Sequence, residues 1–182
     1  MIPKKRYLFL LALLAAIFFR GPLFRAAVSY EPVKTRAFQP LTAAPDLFAD
    51  ISEWAAANPE PTTEQLIAFA RRETARRVGF VMRQTSGRPD DVVAGGEANC
   101  VGYARLFAAI LDRAARATGR GEEIEQTLLV GELSLFGESL HQLTSDPFWR
   151  DHDYNKVVDR VSGEVWFLDV TLYDYTWVRW VR

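Results

Sequence analysis

Thiol and imidazole chemistry is scarce in this 182-residue sequence, which holds one cysteine and two histidines. One cysteine cannot close an internal disulfide, and it excludes every closed zinc site built from several thiolates. Any mechanism that needs an imidazole must draw on His141 or His152. Excess charge is missing too: 22 basic against 23 acidic residues give a formal net charge of -1, which implies no nucleic acid as partner. Arg71, Arg72, Arg76 and Arg77 do cluster, but with Glu64 and Glu73 beside them they read as the wet face of a helix. The apolar fraction of 49% and charged fraction of 25% describe an ordinary globular surface, and the length suits one domain plus a short extra segment.

That extra segment is residues 1–28. Lys4, Lys5 and Arg6 precede an uninterrupted apolar run from Tyr7 to Phe19, the pattern of an export signal. The run is shorter than the roughly 20 residues a bilayer span needs, although Gly21 to Phe24 extend it if Arg20 snorkels. A cleaved signal peptide and a retained membrane anchor both stay open; Arg20, Pro22 and Arg25, between the run and Ala27-Val28-Ser29, favour the anchor. Basic residues before the run place residues 29–182 outside the cytoplasm, on the periplasmic side in a bacterium. An exported protein with one unpaired cysteine is unusual, and a catalytic thiol accounts for it.

Ser29 to Pro45 reads as an extended connector with little periodicity. Leu47, Phe48, Ile51, Trp54 and Ala55 then recur at helical spacing, stopped by Asn58-Pro59-Glu60-Pro61. Thr62 with Gln65 forms a capping box for a second helix, whose stripe is Leu66, Ile67, Ala70, Thr74 and Val78. Thr85 to Asn99 carries loop residues. Asn99 is placed to cap a third helix that begins near Cys100, buries Tyr103, Ala104, Phe107, Ile110, Leu111 and Ala114, and ends by Gly119. Strand signals follow at Thr127–Val130, Tyr154–Val158, Val165–Val170 and Tyr173–Val181. Helices first and strands afterwards predict an α+β domain.

Cys100 falls in the first turn of its helix, where unpaired backbone N–H groups and the positive end of the dipole stabilise a thiolate. The plain alternative is a small buried hydrophobe. His152 opens one strand and Asp169 closes the next, with Arg160 to Gly163 as the turn between them. Paired in a hairpin, the two side chains become near neighbours, so Asp169 can fix the imidazole tautomer and stabilise its charged form. Taken singly, His152 is a surface histidine between Asp151 and Asp153, and Asp169 a strand-end cap. Adjacent strand residues face opposite ways, which argues against a metal site at Asp151, His152 and Asp153. No metal or cofactor is expected. His141 reads as a loop residue.

Gly95-Gly96-Glu97-Ala98-Asn99-Cys100-Val101-Gly102-Tyr103-Ala104 ahead of an amphipathic helix resembles the cysteine block of the transglutaminase-like superfamily. His152-Asp153-Tyr154-Asn155-Lys156-Val157 and Val165-Trp166-Phe167-Leu168-Asp169-Val170-Thr171 resemble its histidine and aspartate blocks, in the family's order. The resemblance covers about half the chain, from Val92 to Asp174. Asp153-Tyr154 replaces the tryptophan usual after the histidine, and Phe136 to Trp149 is an unmatched insertion. The resemblance implies a papain-like transglutaminase core, a helical first half with the catalytic cysteine at a helix start, packed on an antiparallel sheet. It also implies a triad of Cys100, His152 and Asp169, and an upstream second oxyanion donor, for which Gln84 is the nearest candidate.

The expected function is a thiol enzyme that acts on an amide or peptide carbonyl through an acyl-enzyme, by hydrolysis or by transfer to an amine. Protein, peptide or cell-wall peptide substrates suit the location. The main alternative is a non-catalytic, membrane-tethered interaction module, with Trp149, Trp166, Trp177 and Trp180 as its surface. Cell-wall peptidases whose cysteine opens a helix match the Cys100 block alone.

Overall fold

The computed structural model describes residues 17–143 and 151–182, so most of the Tyr7–Phe19 run, and Trp149, lie outside the described residues. Among the described residues no helix is long and apolar enough to cross a membrane. The chain is α+β. Its helices are α1 (Arg20–Ala27), α2 (Pro45–Ala57), α3 (Thr63–Arg77), α4 (Pro89–Gly95), α5 (Cys100–Ala117), α6 (Leu140–Leu143) and α7 (Val170–Thr176). The main sheet runs β1 (Val28–Arg36), β4 (Ile124–Leu135), β6 (Asp151–Asp159), β7 (Val165–Leu168), antiparallel throughout, with β5 (Glu138–Ser139) beside β4. A short parallel pair, β2 (Gly79–Phe80) and β3 (Glu97–Ala98), leads into α5.

Local chemistry explains the helices that matter most. Asn99 caps α5 by accepting from Gly102 N at 3.2 Å, and Gly119 at φ +76° lets the chain leave the far end. The predicted stripe from Tyr103 to Ala114 is buried. Gly102 is required by contact: a Cβ there would meet the Ala98 Cβ at 2.8 Å and Val92 Cγ2 at 3.1 Å, so its hydrogen lets α5 start against α4 and β3. At α3 the capping box forms, with Thr62 Oγ1 accepting from Gln65 N at 3.3 Å and Gln65 Oε1 from Thr62 N at 2.8 Å. Thr62→Ala should cost about 1 kcal/mol and lower Tm by roughly 2–4 °C, read by calorimetry.

The larger core lies between α2, α3, α5 and one face of the sheet, and includes Leu47, Leu66, Phe107, Ile110, Val157 and Leu168. A smaller cluster on the other face joins Tyr30, Leu129, Leu133, Tyr154 and Val181, with Phe24 of α1 and Leu172 of α7 against it. Tyr103 ties three elements together, its hydroxyl shared between Val78 O and Asp174 Oδ2, each at 2.8 Å.

Several expectations are corrected. The Ser29–Pro45 connector is in large part β1, an edge strand paired with β4. Pro32, which has no N–H to donate, coincides with a register shift before Lys34, and an edge strand tolerates both. Inside the predicted Thr85–Asn99 loop, Pro-Asp-Asp opens α4 and Gly96 at φ +67° closes it. Tyr173–Val181 is not a strand. Asp169 caps α7 by accepting from Leu172 N at 2.9 Å, and this local cap overrides the β-leaning composition of the segment. Arg71 and Glu73 are not on a wet face: both are buried, Arg71 stacked at 3.8 Å on the Tyr173 ring and Glu73 paired with Arg76. His141 is in α6 rather than a loop, its Nε2 3.2 Å from Asp151 Oδ1.

Candidate active site

Three elements meet where β6 begins and β7 ends. The start of α5 brings Cys100, the start of β6 brings His152, and the residue between β7 and α7 is Asp169. His152 Nε2 lies 2.7 Å from Asp169 Oδ2. Cys100 is among the neighbours that favour the charged imidazole, and its thiol donates to Asp153 Oδ2 at 3.9 Å. All three residues are buried.

The hairpin register differs from the one the spacing predicts. A His152–Asp169 cross-strand pair needs an index sum of 321, whereas Asn155 faces Leu168 and Lys156 faces Phe167, a sum of 323. A slip of two preserves which face each side chain takes. Asp169 has already left the sheet and reaches the imidazole diagonally, as a helix cap.

Asp169 is held from three sides. Its Oδ2 accepts from the Tyr30 hydroxyl at 2.8 Å as well as facing His152, and its Oδ1 accepts from Leu172 N. Burial alone would raise its pKa; the charge of His152 and these hydrogen bonds outweigh that and keep it below the usual carboxylate value. For His152 burial opposes the charged form, but the Asp169 charge and hydrogen bond, then the Cys100 contact, leave the imidazole well above its usual 6.5. A depressed acid beside an elevated base is an ion pair at neutral pH. Its contribution to stability is full between the ordinary carboxylate and imidazole pKa values, and is lost as pH falls through the lowered Asp169 pKa or rises through the raised His152 pKa.

Consecutive residues on β6 leave on opposite sides. Tyr154 packs with Tyr30 on one face, while Asn155 donates to Ala104 O at 3.0 Å on the α5 face. Cys100 stands at the tip of α5. Asp153 Oδ2 lies 3.9 Å from its sulfur, and Arg36 of β1 engages Asp153 through Nε and, at 3.1 Å, Nη2. Gly131 stands opposite His152 on β4; a Cβ there would meet Tyr154 Cε1 at 2.8 Å. Gln84 is exposed on the chain between β2 and α4. No group of His, Cys, Asp or Glu among the described residues is arranged to hold a metal ion.

Tyr30 and Arg36 were not anticipated as site residues, because β1 did not read as a strand. The β-branched Val28, Val33 and Thr35 were the available signal, interrupted by Pro32. No family model, no curated protein and no solved structure matches this chain.

Proposed function

We propose that the chain is a thiol enzyme with a papain-like, transglutaminase-like core, using Cys100 as nucleophile, His152 as acid and base, and Asp169 to orient the imidazole. One observation carries this: the buried His152 imidazole lies 2.7 Å from the buried Asp169 carboxylate, and the neighbour that further favours its charge is Cys100, the chain's one thiol, at a helix start. The thiolate sulfur bonds to the substrate carbonyl carbon, and the carbonyl π pair moves onto oxygen, where the Cys100 N–H is a fitting donor. Collapse expels the amine, which takes its proton from His152, and leaves a thioester. Neutral His152 then deprotonates water, whose oxygen attacks the thioester; the acid leaves and the thiolate–imidazolium pair is restored. An amine in place of that water makes the reaction a transfer.

The expected setting is extracytoplasmic, with residues 1–28 as a removed signal or a tether, and an amide or peptide as substrate. One pair of facts favours the non-catalytic module: Cys100 is only 7% exposed, and the Asp153 carboxylate beside it disfavours a second negative charge. Incubation with 4-nitrophenyl acetate and intact-mass analysis separates the two. An acetyl adduct on Cys100 that forms and is then lost to water is expected; a folded protein that never acquires it is a module.

A further inference from the structure

A strongly apolar concavity opens beside this site. It has a volume of about 600 Å³ and is walled by Phe24 of α1, Leu133 of β4 and Leu140 of α6, and by Phe80 of β2 with Leu172 and Tyr175 of α7. Its polar side chains are Ser134, His152, Asp169, Thr171 and the hydroxyls of Tyr30 and Tyr175, and among the described residues no lysine or arginine contributes. Cys100 does not line it; His152 and Asp169, the pair proposed to serve the thiol, do. A group seated in the cleft therefore ends at the catalytic imidazole.

What fits is set by what the walls lack. A peptide would bring backbone N–H and C=O groups into a wall that offers them few partners, and each buried without one is costly. An anionic head finds no lysine or arginine among the described lining residues, and the His152 imidazole is already engaged by Asp169. An aliphatic chain brings no polar atom and leaves its carbonyl at the His152 end. The rim points the same way: Met82 and Tyr175 line the cleft yet are 60% and 63% exposed, and Leu135 on its edge is 39% exposed. Phe136, bonded through its N–H to Ala27 O, adds a ring 78% exposed. Contiguous exposed apolar surface around a cleft marks an apolar partner.

We infer that the cleft binds the fatty-acyl chain of a lipid-like amphiphile, tail inward, and presents its amide or ester carbonyl to Cys100. This rests on the thiol-enzyme proposal and narrows its substrate. Each buried methylene should strengthen binding roughly three- to four-fold.

Two measurements on the full chain test it. The first is the rate of Cys100 acylation by 4-nitrophenyl octanoate relative to the acetate, corrected with Cys100→Ala. Six added methylenes should make the octanoate faster by up to about three orders of magnitude, and Met82→Glu with Leu135→Glu should cut the ratio about ten-fold or more. Equal rates, or an apolar dipeptide ester outpacing the octanoate, overturn the acyl-chain inference while the thiol enzyme stands. The second is calorimetric binding of octanamide to Cys100→Ala protein, which does not depend on a reactive thiol. Binding weakened by Met82→Glu and Leu135→Glu is expected even if no ester acylates Cys100. Absence of binding, including through occupation of the cleft by the chain's own Tyr7–Phe19 run, overturns the inference.

Discussion

Replacing His152 by alanine should slow alkylation of Cys100 by iodoacetamide at about pH 6 by roughly a hundred-fold, because an ordinary thiol with a pKa near 8.5 is almost wholly protonated there. The proposed function requires that the imidazole activate the sulfur, and Asp169 favours the charged imidazole. Asp169→Asn should fall between the two: the imidazole stays in place, but burial then opposes its charge without the carboxylate. Equal alkylation rates in the three folded proteins would mean that the histidine does not activate the thiol. Tyr30→Phe removes only one hydrogen bond to Asp169 and should act in the same direction, more weakly.

A second large effect is expected away from the triad. Asp153 is 3% exposed, and Arg36 is the cation that engages it. Removing one partner of a buried pair leaves an uncompensated charge and costs about 3–5 kcal/mol. Arg36 keeps 30% of its side chain in solvent, so water partly replaces it and Arg36→Met should cost about 3 kcal/mol, the lower end of that range. Denaturant unfolding reads this, and Arg36→Met combined with Asp153→Asn should recover most of the loss by deleting the stranded charge. Reactivity should change as well. At an effective dielectric constant near 20, two like charges 3.9 Å apart repel by about 4 kcal/mol, so freeing the Asp153 carboxylate should slow alkylation at least about ten-fold. A loss of under about 1 kcal/mol with unchanged reactivity would show that Arg36 does not neutralise Asp153.

Such a pair shows where sequence reading succeeds and where it stops. Asn99 capping the Cys100 helix and the Thr62–Gln65 box are contacts over three residues, and their signals are local. His152 and Asp169 come together across a hairpin, a medium-range inference that survived a two-residue register shift because an even slip preserves the face. Tyr30 reaches Asp169 over 139 positions and Arg36 reaches Asp153 over 117, through an edge strand whose proline and irregular register hide its period. Nothing local signals such contacts. Arg71 and Glu73 misled for a related reason: charge at helical spacing reads as a wet face, and only the packing of Tyr173 and Trp180 over α3 reveals that Arg71 lies beneath them. The apolar cleft draws its walls from α1, β1, β4, α6, α7 and the chain after β2, so no single segment announces it.

The central claim is that Cys100 and His152 form a thiolate–imidazolium pair in the resting protein. The ultraviolet absorbance of the thiolate, followed against pH in wild type with Cys100→Ser as the blank and His152→Ala beside it, measures that pair directly. Thiolate absorbance already present near pH 6 in the wild type and absent there in His152→Ala is the predicted result. Absorbance that rises only around the ordinary thiol pKa of about 8.5, alike in both proteins, would contradict it.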